Sequence, residues 1–139
     1  MMRKLDQRGV AALEFCLVAA SLFILMFVIF DLGRYAITVQ SLRTLAGAGA
    51  RATMIKCYTP AVIGNNSPSG CTDINTYLPD PQKQAVAPFL YAGDLAPTLN
   101  TSSAGSALTV TASQPDFTMI VPIWGSSLNA PSATTQIPF

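Results

Sequence analysis

Histidine is absent from this chain. That removes the commonest general base and the commonest metal ligand, and with them any Ser/His/Asp or Cys/His catalytic constellation. Charge is scarce as well: charged residues are 11% of the chain, against roughly 25% in an ordinary soluble domain. Basic side chains nearly vanish after Lys56. Arg3, Lys4, Arg8, Arg34, Arg43, Arg51 and Lys56 precede that point, and only Lys83 follows it, against Asp73, Asp80, Asp94 and Asp116. No dense basic patch results, so nucleic acid is not an expected partner. There is no phosphate-binding glycine loop, no cysteine pair at zinc spacing and no aspartate-rich calcium loop. Neither a metal nor a cofactor is expected, and no catalytic residue can be nominated. The scattered aspartates read as solvated surface or helix caps.

What the chain does have is apolar residues, 50% of its 139. They concentrate in VAALEFCLVAASLFILMFVIF, Val10 to Phe30, where Glu14 is the single charge and neither Pro nor Gly intervenes. About 20 such residues rise roughly 30 Å as a helix, the thickness of a bilayer's hydrocarbon core. A buried helix of a soluble protein would need more chain around it than is present, because this one is apolar on every side. A wholly removed secretory signal would be shorter and would end at a small-residue cleavage site. Arg3, Lys4 and Arg8 outnumber Asp6 and favour a cytoplasmic N-terminus, although Arg34 and Arg43 beyond the span weaken that bias.

Cys57 and Cys71 bracket a turn-rich stretch, TPAVIGNNSPSG, that has little to bury. A disulfide between them suits an oxidising compartment and would close a loop of about 15 residues, worth roughly 3 kcal/mol in the chain-entropy model; the alternative is two free thiols. Cys16, inside the apolar run, reads as a small packing residue.

Gly9 stands where the basic leader meets the apolar helix, in the string R-G-V-A-A-L-E-F. A carboxylate one turn into hydrocarbon is costly, by about 2.5–3.5 kcal/mol at a helix centre and less near an interface, so Glu14 is a functional candidate. Cleavage after Gly9 would leave Val10 with a positive α-amino group one turn from Glu14, on the same chain or on a neighbour, as a partner for that carboxylate.

A glycine followed by four small or apolar residues and then Glu14-Phe15 resembles the type IVb prepilin processing site. The longer string also resembles the TadE-like pseudopilins of tight-adherence pilus systems, through Glu14-Phe15, Asp31-Leu32-Gly33-Arg34 and Gly49-Ala50-Arg51. The likeness covers about the first third of the chain. It implies a pilin-like structural subunit cut after Gly9 by a membrane-embedded prepilin peptidase, with Val10 as the new N-terminus and Glu14 guiding processing or docking. The implied partners are that peptidase, other pilins and pseudopilins of the Tad system, the inner-membrane assembly platform and the lipid bilayer. The implied place is the bacterial inner membrane, single-pass, with the N-terminus cytoplasmic and the C-terminal part periplasmic. Val10 differs from the Phe that follows the glycine in type IVa pilins, and Glu14-Phe15 differs from the Glu-Tyr of short major pilins. Both departures favour a minor pseudopilin. An uncleaved, membrane-anchored periplasmic binding domain is the alternative.

Four segments follow: a leader over 1–9, a transmembrane helix over 10–30, an amphipathic exported extension over 31–56, and a small, mostly β exported domain over 57–139. Leu32, Tyr35, Val39, Leu42, Leu45, Gly49 and Ala52 recur near every 3.5 residues and predict that the helix continues to about Ile55, with Arg34, Thr38, Ser41 and Arg51 on its other side. Asp31 and Arg34 make an i, i+3 interfacial ion pair worth a few tenths of a kcal/mol at most. Ala46-Gly47-Ala48-Gly49-Ala50 permits either close backbone approach or a weak, bending helix. Asp80-Pro81 starts a short helix with Asp80 as N-cap. Asn100 to Ser106 reads as a loop. Leu108 to Ser113, Phe117 to Ile123 and Thr134 to Phe139 read as strands, with Trp124 as a core or sheet residue. A long helix carrying a small antiparallel sheet is an α+β fold.

Overall fold

The computed structural model describes residues 7–93 and 95–139, so the leader cations Arg3 and Lys4, and Asp94, lie outside the described residues. Helix α1, Gln7–Thr53, runs without interruption through the apolar run and the amphipathic extension. It passes through a π-helical turn, Met54–Tyr58, into α2, Thr59–Ile63. The expected end near Ile55 is therefore too early. Pro60 lies in the first turn of α2 and does not stop the helical path, which continues to Gly64. Helix from Gly9 to Ile63 spans 55 residues, roughly 80 Å.

The outer half of α1 carries a three-stranded antiparallel sheet of β1 (Thr98–Ala104), β2 (Ala107–Ser113) and β3 (Ser132–Pro138), in that spatial order. Alternate residues of β2, namely Leu108, Val110 and Ala112, are fully buried against the helix. They meet Leu42 and Leu45 of α1, with Leu99 and Ile137 from the flanking strands. β1 corrects the reading of Asn100 to Ser106 as a loop. Its Ser- and Thr-rich composition belongs to an edge strand whose outward residues face water, while Leu99 alone anchors it in the core. Gly105 then takes a φ of 61° as the first residue of the two-residue turn joining Ala104 to Ala107.

The buried face of α1 is the expected one at Leu42, Leu45 and Gly49, with Tyr35, Val39 and Ala52 half-buried, and departs from it only near the apolar run. Leu32 is exposed, whereas Asp31 and Thr38 are buried. The Thr38 hydroxyl donates to the Arg34 carbonyl at 2.9 Å, so its burial leaves no unmet donor. The small-residue cluster serves close approach, and the helix stays unbroken through it. A Cβ on Gly49 would stand 3.1 Å from Val110 Cγ1 and 3.2 Å from Leu99 Cδ2, whereas one on Gly47 would meet nothing. Gly47→Ala is accordingly expected to stabilise the fold by about 0.5–1 kcal/mol through helix propensity. Gly49→Leu should destabilise it by about 1–3 kcal/mol through overpacking. Thermal unfolding of both variants in detergent, followed by circular dichroism, reads the opposite signs.

Two short helices, α3 (Ile74–Tyr77) and α4 (Asp80–Val86), complete the domain. The cap of α4 is Pro79, one residue before the expected Asp80, and no side chain caps it. The Asp80 carboxylate instead accepts a bond from the buried Lys83 ammonium at 2.8 Å, and that same ammonium donates to Asn75 Oδ1 at 2.7 Å. Cys57, in the π turn, is joined to Cys71 with their Cα atoms 5.7 Å apart.

Phe117 to Ile123 is not a strand. It belongs to the long connection between β2 and β3, which folds down along α1 toward the apolar run and contains one 3-10 turn, Pro122–Trp124. Trp124 thus lies in a turn outside the sheet and is 38% exposed.

Candidate functional site

Two places on α1 carry the side chains singled out from the sequence. The first is the entry to the helix. Gly9 is already helical and its surroundings are open, with nothing within 4 Å of where a Cβ would be. Val10 is 57% exposed, and Glu14 lies one turn beyond it on the same face. Among the described residues no cation pairs with Glu14. Phe15, the next residue round, is among the most exposed apolar side chains of the helix. The most apolar 18-residue window of the helix has 0% of its residues buried. A soluble core helix would be covered by its own chain, and this one is bare, which fits a membrane anchor. Cys16 is a free, exposed thiol on that surface.

The second place is the end of the apolar run. Asp31 is 2% exposed, although it is the first charge after Phe30. Its Oδ2 accepts the Val121 N–H at 2.9 Å, and its Oδ1 faces the Arg34 guanidinium at 3.3 Å. The guanidinium lies over the Phe117 ring, 5.4 Å from its centroid, while the Tyr35 ring meets the same Phe117 at 6.3 Å. The predicted Asp31–Arg34 pair thus exists, but it is half of a clamp that fastens the β2–β3 connection to the helix. Val121 is 90 residues away in sequence. The carboxylate takes the N–H that a strand ladder would have used, one reason why Phe117 to Ile123 forms no strand. A buried acceptor of a backbone bond from a remote loop leaves no local pattern, and an acidic residue at i with Arg at i+3 was the only available signal.

The connection is also tied to itself. The Met119 N–H donates to Asn129 Oδ1 at 3.0 Å, the Ala130 N–H to the Phe117 carbonyl at 3.0 Å, and the Ser127 hydroxyl to the Trp124 carbonyl at 2.7 Å. Where Gln114 enters and Pro131 leaves, the Gln114 N–H donates to the Pro131 carbonyl at 3.0 Å. Such closed ends with internal bonds describe a compact surface loop. No group of three or more Cys, Asp or Glu side chains stands together among the described residues, so no metal cradle is formed there.

The family model described as TadE-like protein matches residues 9–51, from Gly9 to Arg51. The matched segment holds both places, the Gly9–Glu14 entry and the Asp31–Arg34 boundary, and ends just past the Gly49 contact with the sheet. No curated protein and no solved structure matches the chain.

Proposed function

From a chain that is TadE-like over residues 9–51, we propose a pseudopilin: a non-catalytic structural subunit for assembly of a type IVb (Tad/Flp) pilus. The observation that carries this reading is the bare apolar helix with a single carboxylate, Glu14, one turn beyond the residue that follows Gly9. An anchor alone needs no charge at that depth, and a charge there costs free energy. Packing against other pilin helices accounts for both features, since those helices would cover the apolar surface and supply a partner for the carboxylate. A prepilin peptidase cuts after Gly9, freeing the Val10 amine. That amine, here or on a neighbouring subunit, pairs with Glu14 in the apolar interior of the assembly.

The chain then sits once across the bacterial inner membrane, N-terminus cytoplasmic and sheet periplasmic, where an oxidising environment maintains the Cys57–Cys71 bond. Its partners are the peptidase, the other pilins and pseudopilins of the Tad system, and the inner-membrane assembly platform. N-terminal sequencing of the protein purified from membranes tests the reading. The expected mature chain begins at Val10. A chain still beginning at Met1 or Met2, in cells with an active prepilin peptidase, would overturn it in favour of an uncleaved anchored domain.

A further inference from the structure

The β2–β3 connection reaches below the end of the apolar run. Its Ile120 and Val121 line a shallow apolar notch together with Ile24 and Phe27 of α1. Phe27 precedes Asp31 by four residues and Ile24 by seven, so the notch lies roughly 6–10 Å to the membrane side of that carboxylate. Two of the notch's four residues therefore belong to the segment read as crossing the bilayer.

The tip of the connection has the surface chemistry of that depth. Ile120 is 70% exposed and Ile123 59%, and Trp124 directly follows Ile123 in the 3-10 turn. No charged residue occurs from Phe117 to Phe139. Part of its backbone is already satisfied within the chain: the Met119 and Val121 N–H groups are bonded to Asn129 and Asp31, and Pro122 has none to satisfy. The charges that fasten the tip, Asp31 and Arg34, stay at the boundary, where the Arg34 side chain remains 42% exposed to water. A Trp beside exposed isoleucines at the end of a membrane span is the composition of an interfacial belt.

We infer that the turn around Ile120–Trp124 is a membrane foot, inserted beside α1 into the outward-facing leaflet, with lipid as its partner. The proposal rests on the reading of Val10 to Phe30 as a membrane span. It adds a second point of contact that fixes the orientation of the sheet relative to the bilayer, which one long helix alone would leave free to swivel.

Trp124 is the only tryptophan in the chain, so intrinsic fluorescence reports on the foot directly. The full chain is reconstituted into vesicles of phosphatidylethanolamine and phosphatidylglycerol, with or without phosphatidylcholine brominated either near the headgroup end or near the tail end of its acyl chains. Flotation of the vesicles is read separately. The expected result is that the protein floats, that shallow bromines lower Trp124 emission at least twofold, and that deep bromines quench less. The double variant Ile120→Ser, Ile123→Ser should still float, lose the bromine quenching and gain at least threefold in quenching by aqueous acrylamide. Protein that floats with Trp124 emission indifferent to bromine would overturn the foot and leave the span intact, whether acrylamide reaches the ring or a second protein copy shields it. Protein that fails to float would remove the span and the foot together.

Discussion

Glu14→Leu is expected to leave the chain in the membrane, cut at Gly9 or not, and to reduce its incorporation into pili to background. The substitution removes the only charge in the run from Val10 to Phe30, so partition into hydrocarbon improves by up to about 2.5–3.5 kcal/mol, less if the site lies near the interface. Membrane association therefore cannot be what the carboxylate serves. Within an assembly the same residue would be the counter-charge of an α-amino group. Removing one member of a buried pair strands the other, at a cost of about 3–5 kcal/mol, enough to reject a subunit from a packed helix bundle. Glu14→Gln, which keeps shape and hydrogen bonding without charge, should behave like Glu14→Leu if pairing is the role. The measurement is membrane fractionation alongside immunoblotting of sheared pili. Normal piliation by the Leu variant would remove the pairing idea while leaving the anchor untouched.

The second large effect is expected at the staple. Replacing both Cys57 and Cys71 by Ser should lower the stability of the sheet-bearing domain by about 3 kcal/mol, the loop-entropy value for a closure of this length. In a domain of this size each kcal/mol is worth roughly 4–8 °C of thermal midpoint, so the shift is large enough to read in a single melt. The structure adds a reason why so much depends on one bond. Cys57 sits in the π turn, a stretch with no buried residues, and α2 beyond it also buries none. Cys71 is 1% exposed and belongs to the core beside the sheet. The bond thus fastens an end of the long helix that otherwise meets the domain mainly through Tyr58 and the Lys56–Tyr77 and Tyr58–Pro138 hydrogen bonds. Circular dichroism melts of the double variant and of the parent with reductant should agree, and an unchanged midpoint in both would show that packing alone holds that end. Alkylation without reductant at both positions, followed by mass spectrometry, would reveal a bond that never forms.

Composition and period determined the parts of this molecule that depend on residues close in sequence. The uninterrupted apolar run dictated a helix long enough to cross a bilayer, because a backbone in hydrocarbon must satisfy its own hydrogen bonds. The Gly9–Glu14 spacing can be read for the same reason, as it falls within two turns of one helix. The alternation of Leu108, Val110 and Ala112 marked the central strand, because a strand buried on one face must alternate. What escaped was set by distant partners. β1 is a strand because β2 offers it a ladder from Thr98↔Ser113 to Ala104↔Ala107, and nothing in a Ser- and Thr-rich stretch announces that. Leu32 and Thr38 exchanged their expected faces because the helix presents Asp31, not Leu32, to the returning connection. The bare helix and its Gly9–Glu14 entry were thus written in local order. Only the tertiary structure decided that Asp31 would hold Val121 and bring the connection down beside Ile24 and Phe27 of the apolar run, since a bond across 90 residues exists only once the sheet has placed both ends of the connection.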